Sequence, residues 1–505
     1  MPSSRRWLGA ALVAALPVLA LSGPASPASA GTPGTWTNVS GLSGATTNPN
    51  ISISDPPVIA RVGSGLLALW RQNVDGSAEV YRSASLSAAG KVTSPAGDAL
   101  AGWGGLIGQP VVLALGGQTA LAFSGLPPVD GSANAAWSSG RGFLATSSDG
   151  GRTFTPQPGA LTSSTSTYAG YGFDAIPYAG SVLTVTSGSG LGLGEYYQTA
   201  LQPGPAESAI EVPQDPQITI PGGDGCCSYD SAVAQDTVNG SVWTAFYANA
   251  SASSQQGVFY APLLPTAGTP KQAPGTLVKG ESSSLSPDRR VGLAARVGGG
   301  VYLAYTTGYP TAHAILVRNV ETGKSLRIRA EDAGQVGISS TPDGRLWVSW
   351  TEGNVAYAAR SNPSATAFGA TVKIGAPPST DTLWRLTSVA GVDGRLDVLA
   401  TASTHTKAGD SPNNVWHTQV YPALTATVVS DSAKAGKGGS VSVLVTDAGT
   451  PVSGAKVRLS DGVTATTGSK GTVSLSVPKS AKKGSLGVTA TKAHYGRGVT
   501  KAKVS

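Results

Sequence analysis

The stretch Val301-Tyr302-Leu303-Ala304-Tyr305 decides the fold, because an apolar segment of this length and pattern occurs seven times along the chain. Each copy follows a glycine-containing turn, and successive copies begin 45 to 63 residues apart. A short apolar run after a turn predicts a buried strand, and each interval has room for four strands. The other six copies are 66–70, 119–123, 182–185, 242–246, 346–350 and 396–400.

Four-strand units repeated around an axis form a β-propeller, so the sequence predicts an all-β fold of this kind. Seven copies favour seven blades, and six blades follow if one copy belongs to an inserted hairpin. The early segment 36–39 is expected to pair with 415–420 and close the ring. A row of β-sandwiches is the alternative, although sandwich domains usually need more residues and clearer linkers.

The composition supports this class and excludes several others. Of 505 residues, 67 are Gly and 34 are Pro, and only 12% are charged, which is too few for long amphipathic helices. Ten Trp and fifteen Tyr supply the apolar mass that disordered chains lack. The four histidines have no metal-ligand spacing, and no cofactor fingerprint is present, so we expect neither a metal nor a cofactor.

The first thirty residues are predicted to be a secretory signal peptide. Arg5 and Arg6 precede an apolar run from Leu8 to Leu21, and Ala28-Ser29-Ala30 fits a cleavage site before Gly31. The run is too short to span a bilayer comfortably, and no second apolar run follows. We therefore expect a secreted protein without a transmembrane segment; the alternative is an uncleaved anchor.

Two domains are predicted after the signal peptide: a propeller over residues 31–423 and a small β-sandwich over residues 424–505. The second holds twelve Lys or Arg and three Asp, a balance of +9, whereas residues 31–423 hold 21 basic and 25 acidic residues, a balance of −4. Its segment Gly449–Val457 resembles the linker-strand pattern of bacterial immunoglobulin-like and carboxypeptidase-regulatory-like domains, which implies an immunoglobulin-like sandwich.

The basic residues of 424–505 are spread through turns without interleaved aromatic residues. That distribution argues against nucleic acid as a partner and favours an anionic cell-envelope polymer. The alternative is a basic surface that is simply solvated.

The segment from Ser147 to Phe154 reads S-x-D-x-G-x-T-F and resembles the Asp box (BNR repeat) of the sialidase-like propellers. The resemblance implies a structural hairpin turn on the side of the propeller away from the active site. Asp149 is expected to cap backbone N–H groups of the turn. The matching residues are Ser147, Asp149, Gly151, Thr153 and Phe154.

The chain departs from the sialidases where that family carries an Arg-Ile-Pro that binds the sialate carboxylate. In the corresponding segment, 54–63, Asp55 stands where the Arg is expected, and a carboxylate there would repel sialate. An Asp-Pro at this point is similar to five-bladed furanosidase and xylosidase propellers, in which the Asp is a general base. The alternative is that Asp55-Pro56 merely begins a strand.

One polar residue lies ten to twelve positions before most of the apolar copies, where the innermost strand of each blade would begin. Strand starts converge around the axis of a propeller, and mixed carboxylates, amides and guanidinium groups suit hydroxyl-rich ligands. We therefore expect a ligand site made of Asp55, Gln109, Asp174, Asp230, Arg290, Gln335 and Arg385. The alternative is that polar strand ends face solvent.

Cys226 and Cys227, the only cysteines, lie just before Tyr229 and Asp230. In an exported protein they are expected to form a vicinal disulfide, strained because adjacent Cα atoms are closer than the usual disulfide range. Similar pairs occur in sialidase-like secreted propellers, which this stretch resembles. A stiffened rim, with Tyr229 beside it, would support a sugar ring.

These features predict a glycan-recognising propeller protein, with or without hydrolysis of extracellular carbohydrate. As an enzyme it would use Asp55 as the base and Asp174 or Asp230 as its partner. Substrate binding would fall to Gln109, Tyr229, Arg290, Gln335 and Arg385. The alternative is a non-catalytic binding or adhesion protein in which the propeller is a protein-interaction scaffold.

Overall fold

The structure of the protein is a computed structural model. It describes residues 34–41, 50–51, 55–74, 78–103, 105–125, 141–157, 161, 172–187, 193–200, 218–222, 225–250, 252–276, 291–308, 312–404 and 414–505. The predicted signal peptide lies outside these residues. The described part is all-β, and its only helical segment is a single 3-10 turn, Ser253–Gln255.

The first seventeen strands are β1 (Thr37–Asn38), β2 (Asn50–Ile51), β3 (Val58–Val62), β4 (Gly65–Val74), β5 (Ala78–Leu86), β6 (Val92–Asp98), β7 (Leu106–Leu115), β8 (Gln118–Gly125), β9 (Arg141–Ser147), β10 (Thr155–Pro156), β11 (Phe173–Tyr178), β12 (Ser181–Ser187), β13 (Leu193–Ala200), β14 (Gly225–Gln235), β15 (Val242–Ala250), β16 (Gly257–Leu264) and β17 (Lys271–Gln272).

The next eleven are β18 (Gly292–Ala295), β19 (Val301–Thr307), β20 (Ala314–Asn319), β21 (Ser325–Arg329), β22 (Ala333–Ser340), β23 (Leu346–Glu352), β24 (Val355–Arg360), β25 (Val372–Gly375), β26 (Thr380–Ala390), β27 (Leu396–Thr404) and β28 (Asn414–Val420). The last eight are β29 (Thr425–Asp431), β30 (Gly439–Asp447), β31 (Thr450–Pro451), β32 (Lys456–Leu459), β33 (Thr464–Thr466), β34 (Thr472–Val477), β35 (Gly484–Thr491) and β36 (Gly498–Val504).

Strands β1 to β28 form seven antiparallel sheets that follow one another along the chain. The sheets are β2 to β6, β7 to β10, β11 to β13, β14 to β17, β18 to β21, β22 to β25, and β26 to β28 with β1. In each sheet one strand contacts the neighbouring sheets, and we call these the first strands: β3, β7, β11, β14, β18, β22 and β26. Each of the seven apolar copies lies in the strand that pairs with the first strand of its sheet, which we call the second strand.

Contacts between the first strands run in a closed cycle. Each first strand contacts the first strand of the following sheet, and β26 of the seventh sheet contacts β3 of the first. The expected pairing of the early segment is also present, because β1 pairs with β28 and places Thr37 opposite His417. The seventh sheet is thereby completed by a strand from the start of the described chain.

An aromatic residue occupies the same place in five of the seven second strands. The side chains of Trp70, Phe123, Phe246, Tyr305 and Trp350 are all fully buried, with at most 2% of their surface exposed. Each is the fifth residue of its apolar copy. Large rings at equivalent positions fill the space between neighbouring sheets, and burying each one is worth a few kcal/mol of transfer free energy, about 1.5–3.

The turn between β9 and β10 is held by the side chains of Ser147 and Asp149. The Ser147 hydroxyl donates to Asp149 Oδ1 at 2.8 Å, and the same oxygen accepts the N–H groups of Arg152 and Thr153, each at 3.0 Å. Burial raises the pKa of Asp149, but the hydrogen bonds from Thr153 and Ser147 outweigh this, so its pKa lies below the usual value. Phe154 is buried in the core between the first two sheets.

Gly151 of this turn adopts a φ of +88°, which favours glycine. A Cβ there would lie 2.5 Å from Leu67 Cδ2 of the neighbouring sheet. These contacts are those of a capped tight turn, as the sequence predicts for Asp149. The turn follows the end of the third strand, at the edge of the sheet opposite the start of β7.

A buried ionic cluster joins the first and seventh sheets. Asp397, fully buried in β27, accepts hydrogen bonds from Arg61 of the first sheet, from Arg395 Nε at 3.2 Å and from Gln419 Nε2 at 2.9 Å. It also lies 3.0 Å from His417 Nε2. Burial raises the pKa of Asp397, but His417, Arg395 and Arg61 lower it by more, so its pKa is below the ordinary value.

The remaining strands form two further sheets that enclose one core. One contains β29, β30, β31 and β34, and the other has the order β33-β32-β35-β36. Alternating apolar residues of both sheets, including Val441, Val443, Val457 and Val488, make up a single buried cluster. Residues 425–504 therefore have a core of their own, which we call the C-terminal module.

A second buried ionic cluster fastens the C-terminal module to the sixth sheet. Asp447, at the end of β30, pairs with Arg360 and lies 3.2 Å from Arg345 Nη1, and all three side chains are buried. The Arg360 guanidinium also lies between two rings, 5.7 Å from the Trp347 centroid and 5.6 Å from that of Tyr495. This junction restrains how the module sits against the seven sheets.

Candidate functional site

The predicted site residues lie in, or just before, the first strands. Asp55 precedes β3, Gln109 lies in β7, Asp174 in β11, Tyr229 and Asp230 in β14, Gln335 in β22 and Arg385 in β26. Arg290 lies outside the described residues. Gln109, Asp174 and Gln335 lie near the beginning of their strands, whereas Asp230 and Arg385 lie at the middle of the longer strands β14 and β26. We call the part of the molecule that contains these predicted residues the start edge.

Three of these residues occupy irregularities in the pairing of first and second strands, and Arg385 borders a fourth, which the sequence does not reveal. The register shifts lie between Ile107 and Val111 around Gln109, between Tyr229 and Ala232 around Asp230, between Gly334 and Gly337 around Gln335, and between Leu383 and Arg385. A β-bulge bends its strand and changes the direction of a side chain, and bulges are common beside functional sites.

The backbone is strained at two of these bulges. Asp230 has a φ of +52° and Gln335 a φ of +48°, in the left-handed region that residues with a Cβ rarely adopt. Such a conformation costs of order 1–3 kcal/mol and persists where the surrounding structure enforces it. Two sheets on different parts of the cycle therefore hold a polar residue in a strained bulge at the same strand position.

A buried charged network lies between the first and second sheets. Arg71 Nη2 of β4 is 2.6 Å from Asp55 Oδ2, and Arg71 Nη1 is 3.8 Å from Glu79 Oε2 of β5. The Tyr81 hydroxyl donates to the carbonyls of Ile107 and Gly108, within the bulge of β7, at 3.1 and 3.0 Å. The network therefore connects Asp55 to the bulge that contains Gln109.

The electrostatics of this network fix its protonation. Burial lowers the pKa of Arg71, but the charges of Asp55 and Glu79 raise it by more, so the guanidinium stays charged. Burial raises the pKa of Tyr81 far above its usual value, so its hydroxyl stays neutral. One guanidinium group thus faces two carboxylate side chains in this part of the start edge.

Asp174 binds the neighbouring sheet. Its Oδ1 accepts the N–H of Ala175 at 2.9 Å, and its Oδ2 accepts the N–H of Val233 in β14 at 2.8 Å. The Ser187 and Ser231 hydroxyls lie 2.8 Å apart beside it. The structure thus places Asp174 against the bulge that holds Asp230, with both carboxylate oxygens directed at backbone N–H groups.

The other predicted residues are buried to different degrees. Gln335 and Arg385 are almost fully buried, and Arg385 Nη1 donates to the Trp384 carbonyl at 2.9 Å. Gln109 Nε2 approaches the Pro57 carbonyl at 3.5 Å, at the limit of a hydrogen bond. Asp230 and Tyr229 are half-buried. Gln109 therefore lies against the segment that follows Asp55, as Asp174 lies against that of Asp230.

The backbone of Cys226 and Cys227 belongs to β14, but their side chains lie outside the described part of the structure. The vicinal disulfide stays a prediction. Within the described ranges, no three His, Cys, Asp or Glu side chains are grouped so that they could hold a metal ion. The same ranges contain no helix long and apolar enough to cross a membrane.

Arg71, Glu79 and Tyr81 belong to the site but were not singled out by the sequence. One signal was available for Arg71, because it directly follows an apolar copy in a chain where charge is scarce. Glu79 and Tyr81 lie on the third strand, and only the strand pairing places them beside Asp55. Their contribution depends on contacts between distant residues rather than on a local motif.

Comparison with known proteins assigns no family to the chain. No family model matches it, and no curated protein matches it. Among solved structures it is similar to the extracellular domain of a one-component system from B. thetaiotaomicron, with a TM-score of 0.41 and 10% identity. That similarity covers 94% of this chain and 60% of the other, so this chain spans only about 60% of the length of that domain.

Two glycoside-cleaving enzymes are also similar. An endo-arabinase from Bacteroides thetaiotaomicron matches with a TM-score of 0.31 and 16% identity, covering 62% of this chain and 93% of the enzyme. A thermostable family-43 glycoside hydrolase matches with a TM-score of 0.30 and 11% identity, covering 75% of this chain and 99% of the enzyme.

Proposed function

We propose that the protein is exported and recognises a glycan at the start edge of a seven-bladed β-propeller. The closed cycle of contacts among the seven first strands supports this architecture, and the pairing of β1 with β28 supports ring closure within the seventh blade. The propeller would comprise residues 31–423, and the C-terminal module an immunoglobulin-like sandwich. Residues 1–30 would be removed on export.

The observation that carries the functional proposal is the set of bulges at the start edge. Three first strands give up regular pairing at the residue that the sequence marks as polar, a fourth does so directly before Arg385, and two of these residues, Asp230 and Gln335, hold a strained backbone. Regular pairing would be more stable, so this arrangement is better explained by side chains positioned for a ligand than by strand ends that face solvent. Carboxylate, amide and guanidinium groups together match a sugar's hydroxyl groups.

Binding without hydrolysis is favoured over hydrolysis by the state of two predicted catalytic residues. Asp55 is buried and ion-paired with Arg71, and both oxygens of Asp174 accept backbone N–H groups. A catalytic carboxyl must reach the scissile oxygen or a water molecule, and these contacts instead hold the two side chains against the protein. Glycan recognition is therefore the leading function.

Hydrolysis is the second candidate, and one observation favours it. Asp55 and Glu79 face the same guanidinium from two strands, and a pair of carboxyl groups is what glycoside hydrolysis requires. In this case Asp55 would be the base, with Asp174, Asp230 or Glu79 as its partner. A screen of aryl glycosides, including sialosides, xylosides and arabinofuranosides, would test it, and turnover that disappears in Asp55→Asn would make hydrolysis the leading function.

A glycan array tests the main proposal. The double variant Asp230→Asn, Arg385→Gln removes one carboxylate and one guanidinium group from the start edge. Asn tolerates the positive φ of position 230. The matched control, Arg329→Gln with Glu331→Gln, removes an exposed ion pair whose side chains are 88% and 75% accessible. We expect binding to be lost in the first variant and kept in the second.

Two outcomes would contradict the proposal. If the mature protein retains no glycan on the array, the alternative of a protein-interaction scaffold replaces it. If the start-edge variant and the control bind equally well while both melt at the wild-type temperature, the glycan site lies elsewhere.

A further inference from the structure

The two sheets of the C-terminal module differ completely in charge. Strands β29, β30, β31 and β34 contain no Lys or Arg, and their outward residues include Ser440, Ser442, Ser474 and Ser476. The opposite sheet, β33-β32-β35-β36, contains four basic residues and no acidic one. The +9 balance of residues 424–505 is therefore not spread evenly over the strands.

The four cations lie in a regular row along β35. Pairing places Lys456 opposite Thr491 and Arg458 opposite Thr489 on one side, and Lys501 opposite Gly487 and Lys503 opposite Ser485 on the other. All four side chains are exposed. Every second residue of β35 points outward, and each of these residues lies beside one of the cations. Neighbouring cations are therefore about 6.8 Å apart along the strand, and the four together span about 20 Å.

Small residues form the floor between these cations. The outward positions of β35 are Ser485, Gly487, Thr489 and Thr491, so β35 lies as a low strip between β32 and β36. The two flanking strands are about 10 Å apart, because each lies about 4.8 Å from β35. A single extended chain lying along this strip would meet two cations of β36 on one side, and then two cations of β32 on the other side.

The acidic residues of the module accept hydrogen bonds from other groups, and Asp431 does so from the backbone of Lys503, at one end of the row of cations. Asp447 is buried against Arg345 and Arg360 of the sixth sheet, Asp431 Oδ2 accepts the N–H of Lys503, and Asp461 Oδ1 accepts the N–H of Val463. The module's only aromatic residue, Tyr495, lies against Arg360. The strip thus offers positive charge without the aromatic stacking surface that single-stranded nucleic acids use.

We infer that the strip along β35, flanked by Lys456, Arg458, Lys501 and Lys503, binds a linear acidic polysaccharide with about one negative charge per sugar. Successive cations are about 6.8 Å apart along β35, so an extended polyanion can meet several of them at once, and the small residues between them leave room for such a chain. The inference rests on the proposed export of the protein, because such polymers lie outside the cell. It does not depend on the start edge.

Polygalacturonate, with one carboxylate per sugar, is the probe for the test, and the full mature chain is the protein. We expect binding that weakens steeply as salt is added, since exposed charges are screened. The variant Lys456→Gln, Arg458→Gln, Lys501→Gln and Lys503→Gln should weaken binding about tenfold or more, because four exposed ion pairs are lost together.

The matched control changes the same number of charges away from the strip. Lys434, Lys437, Lys470 and Lys479 are exposed residues of other turns, and replacing all four by Gln should leave the affinity within about twofold. Both variants must melt near the wild-type temperature. Equal losses in the two variants would overturn the inference, because net charge and not the strip would then explain binding.

Three further outcomes are informative. No retention on polygalacturonate at low salt, or equally tight binding to duplex DNA that the same four substitutions abolish, would overturn the assignment to a polysaccharide. Binding of neutral glycans at the start edge should be unchanged in the strip variant. Loss of one activity with the other retained therefore distinguishes failure of this inference from failure of the proposed function.

Discussion

The molecule contains two buried carboxylates that bind arginine beside the first sheet, and they are built differently. Asp397 is completely buried, receives hydrogen bonds from three side chains of two sheets and lies beside His417, and these partners keep its pKa low. Asp55 shares one arginine with Glu79 and lies next to a bulged strand. The first carboxylate binds arginines that approach from two sheets, whereas the second shares Arg71 with another carboxylate.

The difference separates a carboxylate that cross-links two sheets from a carboxylate that pairs with Arg71 beside a bulged strand. Around Asp397, Arg61 also donates to the Ala390 carbonyl at 2.7 Å, and Gln419 donates to the Ala88 carbonyl at 2.8 Å, so that both sheets are cross-linked repeatedly. No strained backbone lies in that cluster among the residues described. At the start edge, strained backbone occurs at Asp230 and Gln335, in other sheets than the network of Asp55, Arg71 and Glu79.

The largest effect is expected from Asp397→Asn. It removes the carboxylate from the half-buried Arg61 and leaves the buried Arg395 with Asp393 alone, so the free energy of unfolding should fall by about 3 kcal/mol, the lower end of the range for breaking a buried pair. Chemical denaturation measures this directly. The control is Asp98→Asn, which breaks the exposed Arg82–Asp98 pair and should cost only about 0–1 kcal/mol. Equal small losses in the two variants would show that Asp397 does not hold the first and seventh sheets together.

A smaller loss of stability, about 1–3 kcal/mol, is expected from Asp55→Asn, because Glu79 still faces Arg71 and the amide still accepts a hydrogen bond. Unlike Asp397→Asn, this variant should lose glycan binding while folded. Glu79→Gln is its companion, since Glu79 is 31% exposed and 3.8 Å from Arg71 and should cost about 0–1 kcal/mol. The comparison fails if Asp55→Asn destabilises as strongly as Asp397→Asn and leaves glycan affinity intact.

The smallest effect is expected from lowering the pH. Because the folded-state pKa of Asp397 is depressed, its stabilisation is complete above the unfolded-state value of about 3.9 and is lost as the pH falls through the lower folded-state value. The stability difference between wild type and Asp397→Asn should therefore be constant from pH 7 to about pH 4 and shrink below it. Urea denaturation of both proteins at pH 7, 4 and 3 tests this, and a difference that grows on acidification would contradict it.

The sequence predicted the local features of this protein better than its long-range ones. The seven apolar copies marked the second strand of every sheet, and the pattern around Asp149 indicated a capped turn, because strand periodicity and turn chemistry depend on neighbouring residues. The bulges at Asp230 and Gln335 were missed because register depends on the partner strand. The partners of Asp397, at positions 61, 395, 417 and 419, were missed because they approach it from neighbouring strands and from the first sheet, and such contacts leave no local pattern.

The site shows the same limit. Sequence spacing placed Asp55, Gln109, Asp174, Asp230, Gln335 and Arg385 in or before first strands, but it did not show that Asp174 binds the backbone of β14. It also did not reveal Arg71, which decides whether Asp55 can act as a base. Counting positions along a strand locates a side chain, whereas its chemical role depends on groups that approach from other strands.

The buried contact of Asp447 with Arg345 and Arg360 has a consequence for how the two proposed binding surfaces work together. The C-terminal module is fastened by ionic and ring contacts rather than tethered by a flexible chain. Avidity between two sites on one body is governed by their effective concentration, which a fixed geometry sets without the entropy loss of a linker. A polymer that reaches both surfaces would therefore gain affinity only in the one orientation that the junction permits. Breaking the contacts of Asp447 would let the module adopt other orientations, so that more polymers could reach both surfaces and the selection for one orientation would be lost.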